Sequence, residues 1–371
     1  MSLEVFWKLP LAGDGRSIGA ERWSRGDYSP HRKQPHPFAR TGVQRDGYTY
    51  YDLLLQIARA AELVGFDGLW IPESPAGEDP LIVAGSLARE APRLKLVPAL
   101  RASLLSAVYA TKIAVSFQRL SGGRLAWQLV HDESREERPW HGRRFSHADQ
   151  VARTSEFLDV AKGFWNQPPF TYQGKYYEVV DGGFAPALRG ETLPLIYLSG
   201  TSPEALALSA KHADVHFFPL GPVAEVEARI RELSALAAAA GRTLRYGVEA
   251  DLVARHTREE AWQEAQREWE EAGKRTVPIS SDVRASEAPP FEQSVVDAQL
   301  WRGFGQLRPG PELGLVGSYG ELAETLAGYA RIGVSTLVLG AYPHLEEAYP
   351  IGEHLLPLLH QLSATALREA V

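Results

Sequence analysis

Two short stretches bring together residue types and spacings that can do chemistry. In Arg245-Tyr246-Gly247-Val248-Glu249-Ala250-Asp251 two carboxylates stand two residues apart in a run that reads as a strand. Alternate residues of a strand share a face, so Glu249 and Asp251 project together. Such a pair can work as acid and base, with one carboxyl kept protonated by its neighbour's charge. It can equally recognise an amine or hydroxyls, or hold an arginine in a structural ion-paired cluster. The second stretch, Ser199-Gly200-Thr201-Ser202, joins an apolar run to a helical one. Backbone N–H groups and the helix dipole at such a junction can hold a phosphate. Ser202 before Pro203 is also a good N-cap, so a plain helix start accounts for the same residues.

Other chemistries are excluded early. With no cysteine in 371 residues there is no disulfide framework, thiolate nucleophile or cysteine-bound metal. No G-x-G-x-x-G follows the first strand, which removes a Rossmann-type nicotinamide site. A net charge of -7 without a basic patch gives no reason to expect nucleic acid. Met1 to Pro10 lacks the pattern of a signal peptide, and charges break every apolar stretch before about 18 residues, the length of a membrane span. A cytoplasmic protein without a membrane partner is the expectation.

The elements that must position these residues follow a βα rhythm. Leu3 to Leu11, Asp67 to Glu73, Leu94 to Arg101, Leu125 to His131, Leu193 to Leu198, Asp214 to Pro219, Leu244 to Ala254 and Ser335 to Leu339 read as eight strands. Between them lie helical segments at Tyr48 to Gly65, Asp79 to Ala91, Ser106 to Leu120, Ser146 to Trp165, Pro203 to His212, Pro222 to Ala240 and Gly320 to Ile332. Eight βα units imply an α/β fold, a (β/α)8 TIM barrel forming a single domain over residues 1-371, with insertions at about 22-46, 166-190 and 256-312. In the second, Phe170 to Val180 reads as a hairpin turning at Gly174. The third holds a charged helix, Arg258 to Ala272, then a Ser-, Pro- and charge-rich stretch from Gly273 to Ala298. It leaves the carboxyl end of a strand, where barrel active sites lie, so it reads as a lid.

The run Phe6-Trp7-Lys8-Leu9-Pro10-Leu11-Ala12-Gly13-Asp14-Gly15 and the run Gly340-Ala341-Tyr342-Pro343-His344-Leu345-Glu346-Glu347-Ala348-Tyr349 carry a resemblance. Between them, Gly65-Phe66-Asp67-Gly68, Gln118-Arg119-Leu120-Ser121-Gly122-Gly123-Arg124 and Leu198-Ser199-Gly200-Thr201-Ser202 keep a shared order. Together these resemble the luciferase-like flavin monooxygenases and, within them, the alkanesulfonate monooxygenases. The resemblance implies an enzyme that takes FMN in its reduced form, FMNH2, from a separate NAD(P)H:flavin reductase. With O2 it would oxygenate an alkanesulfonate-type substrate to an aldehyde and sulfite. It also implies a homo-dimer or homo-tetramer.

The resemblance gives roles to residues. The FMN phosphate is expected at Ser199, Gly200, Thr201 and Ser202, and further flavin contacts at Val130, His131 and Arg101. His131 is as readily a structural histidine, and Arg101 an ion-pair partner of a neighbouring strand. Arg308, near the lid, matches a family arginine whose guanidinium can pair with a sulfonate or phosphate through two parallel hydrogen bonds. Tyr342 matches an active-site tyrosine. Glu249 and Asp251 stand where the family's sulfonate enzymes place arginine and histidine. Ala12 and Gly77 replace a family histidine and cysteine. The flavin chemistry is therefore better supported than the sulfonate. The alternatives are oxygenation of a non-sulfonate substrate, a flavin- or deazaflavin-binding barrel without catalysis, and a metal-dependent hydrolase using His131, Asp132, Glu249 and Asp251.

Overall fold

The computed structural model describes residues 3–11, 50–73, 77–130, 146–273, 290–307 and 311–369. His131, Asp132, Arg308 and Ala12, the expected 22–46 insertion and much of the expected lid lie outside the described residues.

In chain order the elements are β1 (Glu4–Lys8), α1 (Tyr50–Val64), β2 (Gly68–Ile71), α2 (Pro80–Leu87), β3 (Lys95–Arg101), α3 (Ala107–Ser121), β4 (Ala126–Val130) and α4 (His147–Asn166). A hairpin of β5 (Phe170–Gln173) and β6 (Glu178–Gly182) precedes β7 (Leu195–Ser199), α5 (Pro203–His212), β8 (Val215–Phe218) and α6 (Val223–Ala239). The chain continues with β9 (Arg245–Arg255), α7 (Arg258–Gly273), β10 (Leu300–Trp301), α8 (Phe304–Leu307), β11 (Gly314–Ser318) and α9 (Tyr319–Arg331). It closes with β12 (Val334–Ala341), α10 (His344–Pro350), a π-helical turn at Ile351–Leu355, and α11 (Leu356–Glu369). All eight strands expected from the apolar runs are present. Helix ends obey local rules: Ser106, Ser146 and Ser202 cap α3, α4 and α5 through their hydroxyls, Gly122 closes α3 in the left-handed conformation, and Ser318 with Glu321 forms a capping box on α9.

The chain forms two compact units. The first takes the residues up to Glu78, Pro219–Arg229, and Tyr246 onward. Its strands run in the order β10-β11-β9-β12-β1-β2, parallel throughout except for the antiparallel β10–β11 pair. Helices α1, α9 and α10 pack on these strands. Trp7 shows which face they cover: its ring lies 5.0 Å from that of Phe66, and its indole donates to the His344 carbonyl at 3.2 Å. Lys8, the next residue, points to the opposite face.

The second unit takes Asp79–Phe218 and Ile230–Arg245, with parallel strands in the order β3-β4-β7-β8. The expected hairpin is there, with Gly174 in its turn. The Glu156 carboxylate anchors it by accepting from the backbone of Lys175 and Tyr176 at 2.9 and 2.8 Å.

In the third insertion the charged helix read from the sequence is α7. Further along, the described residues form a 3-10 turn at Phe291–Ser294, β10 and α8, and just beyond the insertion β11 pairs in parallel with β9 from Gly314↔Asp251 to Ser318↔Arg255. The cause is aromatic. Trp301, fully buried, packs its ring 5.1–6.4 Å from Phe291, Phe304, Trp269 and Trp262, so the charged helix α7 has an apolar underside that folds this segment onto itself. The apolar run of β11, Leu315-Val316 between glycines, is too short to register as a strand by pattern. Helices α10 and α11, unread in the sequence, complete the C-terminal end.

At the α4–α5 contact, Ser155 Oγ and His212 Nε2 share a 3.0 Å hydrogen bond, and Asp159 lies 3.8 Å from the same nitrogen. A nucleophilic triad would need the acid on the other ring nitrogen. Burial, then the charges of Lys162, Lys211 and Arg242, pulls the His212 imidazole down to about 3, so the ring is neutral at pH 7.

Two outcomes follow. Trp301→Ala should lower unfolding free energy by about 3–5 kcal/mol in urea titration; a loss within the noise would show that the aromatic cluster adds nothing. For His212 the unfolded ring titrates near 6.5 and the folded one well below, so its contribution is complete above pH 6.5 and declines as pH falls towards 3. Between pH 7 and pH 4 the wild type should lose about 3 kcal/mol more than His212→Gln. Parallel pH curves for the two proteins would refute this.

Candidate functional site

The carboxylates picked out in the sequence meet a residue that sequence reasoning missed. Lys8, last in β1, donates from Nζ to Glu249 Oε1 at 2.9 Å and to Asp251 Oδ1 at 2.6 Å. Strand register explains the meeting. Trp7 pairs with Leu339 and Gly340 with Asp251, so Lys8, Gly340 and Asp251 lie level on β1, β12 and β9, with Glu249 two residues earlier on the same face. Gly340 is the spacer that lets the two outer side chains meet across the middle strand. A Cβ there would sit 2.8 Å from Asp251 Oδ1 and 3.0 Å from Lys8 Cε, inside the space the ion pair fills.

Burial grades the trio. The side chain of Asp251 is 3% exposed, that of Lys8 12% and that of Glu249 28%. Burial alone lowers the affinity of the Lys8 amine for its proton, but the charges of Asp251 and then Glu249, with their hydrogen bonds, outweigh it and hold the ammonium above its ordinary value. The signal for Lys8 in the sequence was a single cation directly after the apolar run Val5-Phe6-Trp7. What hid it was that its partner strands are more than 240 residues away.

Tyr342 follows the last residue of β12, two residues beyond Gly340, and is half-buried with its hydroxyl shielded from solvent. Gly77, where the family has a cysteine, is described but belongs to no regular element.

In the second unit the expected cofactor residues stand at the carboxyl ends of adjacent strands. Arg101 ends β3 and pairs in register with Val130, the last residue of β4. Ser199 ends β7, two residues past the Gln128↔Tyr197 pair. Arg101 is buried and Ser199 is exposed. Gly200 has φ +117°, which an L side chain rarely adopts, so the tight turn into α5 requires glycine there. Ser202 Oγ accepts from Ala205 N at 3.2 Å, the capping role anticipated as the plainer reading, and shares a 3.0 Å hydrogen bond with His147 Nε2. His147, at the start of α4, had no mark in the sequence beyond the capping Ser146 before it. The exposed hydroxyls of Ser199 and Thr201 take no part in that cap.

No group of three or more metal-binding side chains of the His, Cys, Asp or Glu type occurs among the described residues, and no described helix is long and apolar enough to cross a membrane.

The sequence profile described as "Luciferase-like monooxygenase" matches residues 34–336. Among solved structures, the EDTA monooxygenase EmoA from Chelativorans sp. BNC1 superposes with a TM-score of 0.70 at 17% identity, covering 97% of this chain and 94% of the other. DmoA from Hyphomicrobium sulfonivorans does so with 0.72 at 16% identity, covering 97% and 88%. An F420-dependent secondary alcohol dehydrogenase, solved with an F420-acetone adduct, gives 0.67 at 14% identity, covering 97% and 99%. Similarity at this level shows a fold, an α/β TIM barrel of eight parallel strands with helices between them. The profile match spans most of the chain, and the chain therefore belongs to the luciferase-like monooxygenase family.

Proposed function

We propose that this protein is a two-component monooxygenase that uses FMNH2, supplied by a separate flavin reductase, and O2 to oxygenate a small organic substrate. One oxygen atom would enter the substrate and the other would leave as water. Family membership supports the monooxygenase class.

The single observation that supports the FMN assignment is the Ser199–Ser202 turn. Gly200 at φ +117° shapes a strand-to-helix junction where two exposed hydroxyls stand beside the N-terminus of a ten-residue helix. That donor set suits a phosphate dianion. Ser199, Gly200 and Thr201 would hold the phosphate, while Ser202 keeps the helix start and, through it, the turn in place. Arg101, with Val130 beside it, would lend positive charge to an anionic reduced ring. FMNH2, when bound, would supply the two electrons that O2 activation needs. Tyr342 would offer a phenol as hydrogen-bond donor at the end of β12. His131 and Arg308 keep the roles given by the resemblance, contact with the flavin and pairing with an anionic group near the lid.

The alkanesulfonate branch rests on the two terminal signature runs, and the charge at Glu249 and Asp251 counts against it. A deazaflavin-dependent dehydrogenase is the second reading, favoured by the similarity to the F420-dependent alcohol dehydrogenase.

Anaerobic titration followed by tryptophan fluorescence separates these readings. FMNH2 should bind more tightly than reduced F420, and Gly200→Val should weaken FMNH2 about tenfold while leaving reduced riboflavin, which has no phosphate, nearly unchanged. Equal losses for both flavins would reject the phosphate assignment. Tighter binding of reduced F420 would replace the monooxygenase with the dehydrogenase.

A further inference from the structure

Parallel register brings two side chains level at the carboxyl end of β9. Ser318 pairs with Arg255, so the residues that follow, Tyr319 and His256, leave their strands side by side. Their rings meet edge to face with centroids 5.3 Å apart. A third ring arrives from much further along the chain. His354 stands in the π-helical turn Ile351–Leu355, which packs on α9 and follows Pro350, a residue with no N–H to give the α-helical ladder. Its imidazole lies 4.8 Å from that of His256 and 5.1 Å from the Tyr319 ring. Single π turns are rare in helices and frequent at functional sites.

Two imidazoles held together can chelate. Both histidines are exposed, and neither ring has a hydrogen bond or ion pair among the described residues. A neutral imidazole in that setting keeps one ring nitrogen as a lone-pair donor. With metal–nitrogen distances of about 2.0–2.1 Å and an angle at the ion between right and tetrahedral, two chelating rings have centroids roughly 4.5–5.2 Å apart. The 4.8 Å between His256 and His354 falls inside that range, and the planes are inclined by 60°, so the contact is not a face-to-face stack.

The surroundings suit a cation. Arg255, the nearest guanidinium in the chain, is paired with Glu347 at 3.0 Å and with Glu264 at 3.4 Å, which tempers its repulsion of an incoming ion. Tyr319, 7% exposed, walls the pair on one side. Burial, then the charge of Glu347, raises its phenol above the ordinary value, so it stays protonated and packs against the rings rather than binding as a phenolate.

We infer that His256 and His354 form a two-histidine site for a divalent transition-metal ion of the Ni2+, Cu2+ and Zn2+ class, with water in the remaining positions. Ions of this class take imidazole readily, whereas Mg2+ and Ca2+ prefer oxygen donors. Tyr319 is a positioning residue. The ion would tie the end of β9 to the turn between α10 and α11. Nothing in this depends on the flavin proposed above.

The test is calorimetric titration of the full chain, carrying no affinity tag, with NiCl2, and electron paramagnetic resonance of the chain with one equivalent of CuSO4. The wild type should bind Ni2+, and its Cu2+ spectrum should show splitting from two imidazole nitrogens. Either His256→Gln or His354→Gln should weaken Ni2+ at least about tenfold. The double variant should lose scarcely more than either single one, because removal of one ring already opens the chelate. Tyr319→Phe, which keeps the ring, should leave the affinity nearly unchanged, and MgCl2 should give no heat that the histidine variants alter. Urea titration of each variant checks folding. Equal Ni2+ affinity in the wild type and the double variant overturns the inference. So do single losses that add independently, a Cu2+ spectrum with one nitrogen only, or a loss in Tyr319→Phe as large as that of either histidine variant.

Discussion

An ammonium buried among strands must have its counter-charge within reach, and that requirement shapes the first unit. Lys8 sits in an apolar strand, so without Asp251 and Glu249 its charge would be driven out or neutralised. The pairing also fixes register. A slip of one residue in β1 would turn Lys8 to the helix side, into the place of Trp7, and take it away from both carboxylates. Bulk stays out of the middle strand for the same reason: Gly340 is where Lys8 and Asp251 reach each other.

This interaction changes how the family resemblance should be read. The resemblance places basic residues where β9 carries Glu249 and Asp251, and from sequence that looks like a full reversal from positive to doubly negative. The structure tempers it, because Lys8 brings one positive charge to the pair from another strand. The barrel and the glycine turn before α5 are untouched by this exchange. The two sets of residues sit on different strands, so the turn before α5 does not depend on the charges carried by β9.

The 256–312 insertion has a related logic. A long excursion from a strand end would be costly if it ordered nothing, and α7 looks purely charged along most of its surface. Trp262 and Trp269 give it an apolar underside on which Phe291, Trp301 and Phe304 settle, and β11 then extends the sheet along β9. The described part of the segment thus has a core of its own.

The eight barrel strands, most helices and their serine caps were legible in the sequence because they are local: period, capping chemistry and turn residues act over a few positions. Glu249 and Asp251 were legible as a pair sharing a face for the same reason, and Ser202 was legible as a cap. The sequence could not say what the pair faces: an arginine was the ion partner it suggested, and the residue that pairs with it is Lys8. Nor could it find His147 against Ser202, the aromatic core of the insertion, or β11, whose two apolar residues become a strand only beside β9. By itself the sequence determined the eight barrel strands, most of the helices between them, and which family they build. The tertiary structure decided which charges meet, because ion pairing between strands depends on register across hundreds of residues, and no local pattern records it.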